Sequence, residues 1–140
     1  MVTAPTSFRF ELENSLSEIA RMSDWLRGIL KDIDAGEDAT HAVTLSVVEA
    51  VTNVVSYAFA PETVHKIVIT VDVSPAELIV AITDDGVAFD PLARPAATPA
   101  ADLASAEIGG LGIALMREFS SRIGYARLGD LNRLEMAFTR

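Results

Sequence analysis

The sequence predicts an α+β fold, a two-layer α/β sandwich in which helices cover one face of a mixed, mostly antiparallel sheet. Two observations predict it: pairs of alternating apolar segments separated by short turns, and three segments whose apolar residues recur at helical spacing. The resulting order is β-α-α-β-β-loop-α-β-β. Strands joined by hairpins pair antiparallel, and the helices then cover one face of the sheet. With 140 residues and no internal repeat, the chain is expected to form one domain over residues 1–140.

The first predicted elements are a strand and a helix. Residues 6–12 alternate apolar and polar side chains, which predicts a half-buried strand at an edge of the sheet. Residues 15–31 carry apolar side chains at helical spacing. Ser15 and Glu18 match a capping box, so the helix is expected to begin there.

A second helix is predicted over residues 38–59. Asp38 is the expected N-cap, and Pro61 is expected to close the helix. Valines give this helix a wide apolar surface, and their β-branched side chains lower its intrinsic helix propensity slightly. Its length without Gly or Pro still favours a helix over a strand.

Two hairpins are predicted in the second half of the chain. Residues 65–73 and 77–83 alternate as strands around a short turn, and residues 122–128 and 131–139 do the same. Between the hairpins, a long loop over residues 88–109 is expected, which in a compact domain is usually functional or mobile.

Composition narrows the classes of partner and location. The formal net charge of −9 disfavours nucleic acid and anionic membranes as partners, because both attract basic surfaces. There is no cysteine, so disulfides and thiolate metal sites are excluded. The sequence shows neither a signal-peptide pattern nor an apolar run long enough to span a bilayer. We therefore expect a cytoplasmic protein.

The most informative stretch is Asp84-Asp85-Gly86, which ends a buried strand. Asp84 at the strand end is a hydrogen-bond acceptor in partly apolar surroundings, and Gly86 allows a tight turn or a close approach to a ligand. The spacing of the acids does not match a calcium loop.

Glu49 and Asn53 form a second candidate group. They are four residues apart, so they lie on one face of the second helix. The amide oxygen of Asn53 could bind magnesium, which takes few protein ligands, while Glu49 could act as a base. A solvated helix edge is the alternative interpretation of the same pair.

A third group is the glycine cluster Gly109-Gly110-Leu111-Gly112, just before a short helix predicted over residues 111–120. Glycines there let backbone N–H groups approach a phosphate at a helix N-terminus. The cluster is not a Walker A loop, because no Gly-Lys-Ser/Thr follows it. A flexible hinge before a packed helix is the alternative.

In chain order these motifs read Glu49-x-x-x-Asn53, Asp84-x-Gly86 and Gly110-x-Gly112. Together they resemble the Bergerat-type ATP-binding fold of the histidine kinase-like (GHKL) ATPase family, which includes gyrase and the histidine kinases. More closely, they resemble the stand-alone bacterial anti-sigma factor serine/threonine-protein kinases. The match covers nearly the whole chain.

The resemblance implies ATP and Mg²⁺ as cofactors and assigns roles to the motif residues. Asp84 would accept a hydrogen bond from the adenine amino group, and Gly86 would let the backbone pass close to the base. Asn53 would ligate magnesium, and Glu49 would be the catalytic base that activates a serine or threonine hydroxyl. The implied nucleotide-binding positions are Asn53, Asp84, Gly86, Ala88, Gly110, Leu111 and Gly112.

The resemblance also implies an ATP lid at about residues 90–108, and a set of partners. The glycines of the third motif would wrap the phosphates. The substrate would be an anti-anti-sigma protein, and a sigma factor would be sequestered. The first helix and the sheet edge would serve partner binding or formation of a homodimer.

The chain departs from the family pattern at three places. Ala88 stands where the family's second glycine is found, and no basic residue stands in 105–108, just before the glycines. Arg94 or Arg117 could replace that basic residue. Asn132 and Arg133 stand near the position of a threonine that helps to hold adenine in many relatives. Two alternatives to a kinase therefore stay open: a non-catalytic ATP/ADP-binding regulatory module and a nucleotide-free interaction domain.

Overall fold

The structure, a computed structural model, describes residues 6–59, 63–93 and 108–140, and only the backbone of residues 108–111. Its elements follow the predicted order, with one additional 3₁₀ turn. They are β1 (Thr6–Glu13), α1 (Leu16–Asp32), α2 (Glu37–Tyr57), β2 (Lys66–Val73), β3 (Glu77–Asp84), the 3₁₀ turn (Pro91–Ala93), α3 (Ile108–Phe119), β4 (Arg122–Leu128) and β5 (Leu131–Thr139).

The five strands form one sheet in the order β1-β2-β3-β5-β4, and all four pairings are antiparallel. The α+β class is confirmed, and β1 lies at an edge as predicted. The central pairing of β3 with β5 places Asp84 directly opposite Asn132. Both hairpins are confirmed, and Gly129 turns the second one with a positive φ of 62°.

The core lies between the sheet and the helices. Alternate strand residues are buried, as Ile67, Ile69 and Val71 show in β2, because successive side chains point to opposite faces. Helix α2 packs against both α1 and α3, so its apolar surface is wide, as its valines predicted. No helix in the described residues is long and apolar enough to cross a membrane.

Ser15 is the N-cap residue of α1, as predicted, but the capping box does not form, and the predicted N-cap of α2 is wrong. The Ser15 side chain makes no cap hydrogen bond, because its hydroxyl pairs with that of Ser17 at 2.8 Å. The carboxylate of Glu18 is instead taken by Arg21, whose Nε donates to it at 2.8 Å. The N-cap of α2 is Gly36 with φ 90°, so Asp38 lies in the first turn of the helix and not at its cap.

Helix α3 begins earlier than predicted. It starts at Ile108, three residues before the predicted start, so the glycine cluster forms the first turns of the helix and does not precede it. Helix α2 ends at Tyr57, two residues earlier than predicted, and Pro61 lies outside the described residues. Most of the predicted lid also lies outside them.

Candidate functional site

Asp84 lies at the end of β3 and is almost completely buried, with 3% of its surface exposed. Its Oδ1 accepts two hydrogen bonds, from the Gly86 backbone N–H at 2.9 Å and from Asn132 Nδ2 at 3.0 Å. Within the described residues, Oδ2 accepts none. The carboxylate therefore has one satisfied oxygen and one oxygen available to a donor from a ligand.

The charge of Asp84 is set by opposing effects. Burial raises the pKa of the Asp84 carboxyl above its ordinary value of 3.8. The hydrogen bonds from Asn132 and Gly86 oppose this rise because they favour the charged form. The nearby carboxylate of Asp85 raises the pKa further, and the guanidinium of Arg127 lowers it.

Asn132 is the centre of a hydrogen-bond network at this site. Its Nδ2 also donates to the Val87 carbonyl at 2.7 Å. Its Oδ1 accepts from the Phe89 backbone N–H at 3.2 Å, from Arg127 Nη1 at 3.1 Å and from the Tyr125 hydroxyl. Sequence reasoning placed Asn132 near the base but missed this network.

A signal for Asn132 was present in the sequence. In β5 the inward positions alternate as Asn132, Leu134, Met136 and Phe138, and all four are buried. A single asparagine in such an apolar row requires a hydrogen-bonded partner. The signal does not identify that partner, because the pairing of β5 with β3 is a tertiary feature.

Gly86 is required by its approach to the end of α2. A Cβ at this position would lie 2.3 Å from the backbone oxygen of Ala58. The adjacent N–H of Val87 donates to the same oxygen at 2.9 Å. Gly86 therefore lies close to the C-terminus of α2, whereas its predicted approach to a ligand stays a prediction.

Asn53 is a buried side chain whose polar atoms have no partner in the described residues. It is 2% exposed, and both Nδ2 and Oδ1 lack a hydrogen bond. Leaving buried polar atoms unsatisfied costs roughly 1–3 kcal/mol. A buried amide of this kind indicates a site for a polar ligand or an ion.

Asn53 and Asp84 line the same small cavity. Phe89 and Pro91 also line it, and its volume is about 10 Å³. A cavity of this size holds at most about one water molecule. A purine beside Asp84 would therefore require this cavity to open further.

Glu49 lies one turn before Asn53 on α2 and packs against α3. A Cβ at Gly112 would lie 2.6 Å from Glu49 Oε2, so a larger residue there would require the Glu49 side chain to move. Glu49 is half-buried and has no hydrogen bond or ion pair with the described residues. The structure thus places an unpaired carboxylate beside the first turns of α3.

The remaining predicted site residues are less defined by the structure. Ala88 is exposed, next to Phe89. Gly110 and Leu111 lie in the first turn of α3, where only the backbone is described. Arg117 is exposed, and its Nη2 donates to the Leu92 carbonyl at 3.1 Å. Arg94 lies outside the described residues.

The side chains of the site offer one ligand for magnesium and one hydrogen-bond acceptor for the amino group of a nucleotide. The described residues contain no group of three or more His, Asp or Glu side chains that could hold a metal ion. The free amide oxygen of Asn53 is a suitable single ligand, because magnesium usually retains waters and binds phosphates of the substrate. The free Oδ2 of Asp84 suits an amino group.

A larger groove of about 860 Å³ lies between α1 and α2. Its lining combines apolar side chains such as Ile19, Leu45 and Val48 with polar ones such as Arg27 and His41. We place the candidate site at Asp84 rather than in this groove, because buried polar groups with free hydrogen-bonding capacity converge there.

Residues 12–138 match the histidine kinase-like ATPase domain family. The chain belongs to this family. The resemblance drawn from the three sequence motifs is confirmed at this level. A curated relative, serine/threonine-protein kinase BtrW of Bordetella bronchiseptica, is 35% identical over 94 residues. That match covers 67% of this chain and 66% of BtrW, just under two thirds of the relative's length.

Solved structures with this fold include one of the RsbU and RsbW domains of a Mycobacterium tuberculosis protein. It has a TM-score of 0.70 at 14% identity, and the match covers 96% of this chain and 33% of the other. A histidine kinase domain from Erythrobacter litoralis has a TM-score of 0.55, also at 14% identity, with coverage of 88% and 59%. These likenesses concern the fold.

Proposed function

We propose that this protein is a magnesium-dependent serine/threonine-protein kinase that phosphorylates an anti-anti-sigma protein and sequesters a sigma factor. Residues 1–140 would act as one ATP-binding domain with a lid at about residues 90–108, in the cytoplasm and as a homodimer. Membership of an ATPase family and the name of BtrW support the proposal. The observation that carries it is the unpaired Glu49 carboxylate one turn from the unsatisfied amide of Asn53.

The chain's own residues would share the work as follows. Asp84 Oδ2 would accept a hydrogen bond from the adenine amino group, Asn53 Oδ1 would hold magnesium, and the first turn of α3 would present N–H groups to the phosphates. When bound, magnesium and ATP supply charge neutralisation and the γ-phosphoryl group. Glu49 takes the proton from the acceptor hydroxyl, and the lid excludes water.

The test is Glu49→Gln, which keeps the size of the side chain and removes the base. ATP affinity, measured by calorimetry with Mg²⁺, should stay within about twofold of wild type. Phosphotransfer to an acceptor protein co-purified from the source cell should fall by about 10²–10⁴-fold. A variant that transfers phosphate at the wild-type rate would show that Glu49 is not the base. No binding by the wild type at millimolar ATP would refute the proposal.

A non-catalytic ATP/ADP-binding regulatory module is the second candidate. The position of Arg117 favours it, because its Nη2 already donates to the Leu92 carbonyl at 3.1 Å. Residues 105–108 supply no basic side chain either. If wild-type protein binds ATP but transfers no phosphate to any co-purified partner, this second function is the correct one.

A further inference from the structure

We propose that Asn132 is a positioning residue for adenine recognition: it fixes the Asp84 carboxylate so that Oδ2 is the oxygen presented to the base. The proposal rests on the nucleotide-binding function proposed above. It assigns to Asn132 a role that differs from direct contact with the base.

All hydrogen-bonding positions of the Asn132 amide are occupied. A side-chain amide has two N–H donors and one oxygen with two lone pairs. Both donors are used, by Asp84 Oδ1 and by the Val87 carbonyl. The oxygen already accepts from Phe89, Arg127 and Tyr125. Asn132 can therefore reach a base only through a neighbour.

The neighbour through which Asn132 acts is Asp84. The hydrogen bonds from Asn132 Nδ2 at 3.0 Å and Gly86 N at 2.9 Å both end on Oδ1. Rotating the carboxylate would break both of them in a buried site, where a charged group that loses its hydrogen bonds is destabilised. Oδ2 is consequently held in one direction, available to an amino group.

Residues from several elements hold the Asn132 side chain in place. Tyr125 and Arg127 reach it from β4, and the Phe89 N–H reaches it from the segment after β3. The β3–β5 register sets Asn132 opposite Asp84. A group fixed from several sides before the ligand arrives reduces the ordering cost of binding.

The deciding variant is Asn132→Asp, which keeps size and shape and replaces the N–H donor by a carboxylate oxygen. At neutral pH two adjacent carboxylates repel, so ADP affinity should fall about 10–100-fold relative to wild type. At lower pH the pair shares a proton, which restores a donor to Asp84. The ratio of variant to wild-type affinity should therefore rise as the pH falls from about 8 to about 5.5.

The matched control is Asn14→Asp, because the Asn14 amide also joins backbone groups, the Thr63 carbonyl and the His65 N–H, without bonding to Asp84. Its affinity ratio for ADP should stay near one at every pH. Calorimetry with ADP measures both ratios, and circular dichroism checks the fold at each pH. A ratio for Asn132→Asp that does not change with pH would mean that Asn132 has a structural role only, and would overturn the proposal.

Two further measurements keep the test decisive. If Asn132→Asp does not fold, Tyr125→Phe removes one hydroxyl that holds Asn132, and ADP affinity should fall about 3–10-fold; wild-type affinity would contradict the proposal. ¹³C NMR titration of the Asp84 carboxyl needs no ligand, and its pKa should rise in the variants. Failure of the wild-type protein to bind ADP would refute the proposed function. An Asp84 pKa that is unchanged in the variants would refute the positioning role of Asn132.

Discussion

Asp84 and Asn53 are buried polar side chains that make the ligand-free protein less stable than an apolar site would. Asp84 carries a charge in a buried position, and Asn53 has two polar atoms without a partner in the described residues. Both features are expensive unless a ligand completes them. Groups that oppose stability and line one cavity are typical of binding sites, where function and stability conflict.

Asp84→Asn should separate the effect of Asp84 on stability from its effect on ligand binding. Burial raises the pKa of Asp84 in the folded state above its ordinary value of 3.8, so stability falls as the pH rises through the folded-state pKa. An amide does not ionise, and its oxygen can keep the Oδ1 contacts. The variant should therefore melt at a higher temperature than wild type at pH 7, with a gap that narrows towards pH 3.8.

The same substitution should weaken ATP binding by about 10–100-fold, because an NH₂ group replaces the acceptor at Oδ2. Thermal denaturation across the pH range and calorimetry with ATP measure the two effects. A variant that melts lower than wild type at pH 7, or that binds ATP equally well, contradicts the assignment of Asp84.

At the scale of elements, the sequence predicted nearly every helix and strand, because apolar periodicity is a local property that burial preserves. Helix ends were less predictable. Ser15 is the N-cap residue of α1, but its hydroxyl pairs with that of Ser17 and makes no cap hydrogen bond. The start of α3 was placed too late because glycines disfavour helix in isolation, whereas the chain continues the helix through them.

The candidate site was likewise predicted only in part. The residue types and order of Glu49, Asn53 and Asp84 were readable from sequence, and the structure brings Asn53 and Asp84 to one cavity. The roles of Tyr125 and Arg127 were not readable. They depend on the pairing of β4 with β5 and of β5 with β3, which no local pattern specifies.

Gly86→Ala should destabilise the junction between β3 and α2. The added Cβ would lie 2.3 Å from the Ala58 carbonyl oxygen, a backbone atom that cannot rotate away. Overpacking of this kind costs about 1–3 kcal/mol. Urea denaturation should show a lower midpoint than wild type.

The matched control is Gly28→Ala in α1, where nothing lies within 4 Å of the added Cβ. This exposed helix position should gain up to about 1 kcal/mol, because alanine has the higher helix propensity. If both alanine variants shift the midpoint in the same direction, the contact between Gly86 and Ala58 does not limit the β3–α2 junction.

At the scale of the molecule, the described fold brings one face of α2, the last residue of β3, the start of β5 and the start of α3 to the same side of the core. The contacts are direct: Asp84 with Asn132, Gly86 against Ala58, and Glu49 against Gly112. A ligand larger than a water molecule must enlarge the cavity that Asn53, Asp84 and Phe89 line. Ligand binding and the global stability of the protein are therefore coupled.

This coupling gives a prediction for the whole molecule. Magnesium with ATP at about 100 times its dissociation constant should stabilise the fold by about 2.7 kcal/mol, which raises the melting temperature by roughly 10 °C. Asn53→Ala should still respond to ATP, but magnesium should add nothing to the shift, because the amide oxygen is gone. Scanning calorimetry with ATP alone and with magnesium measures both responses. An equal magnesium increment in the two proteins would exclude Asn53 as the ligand, and no shift in wild type would favour a nucleotide-free interaction domain.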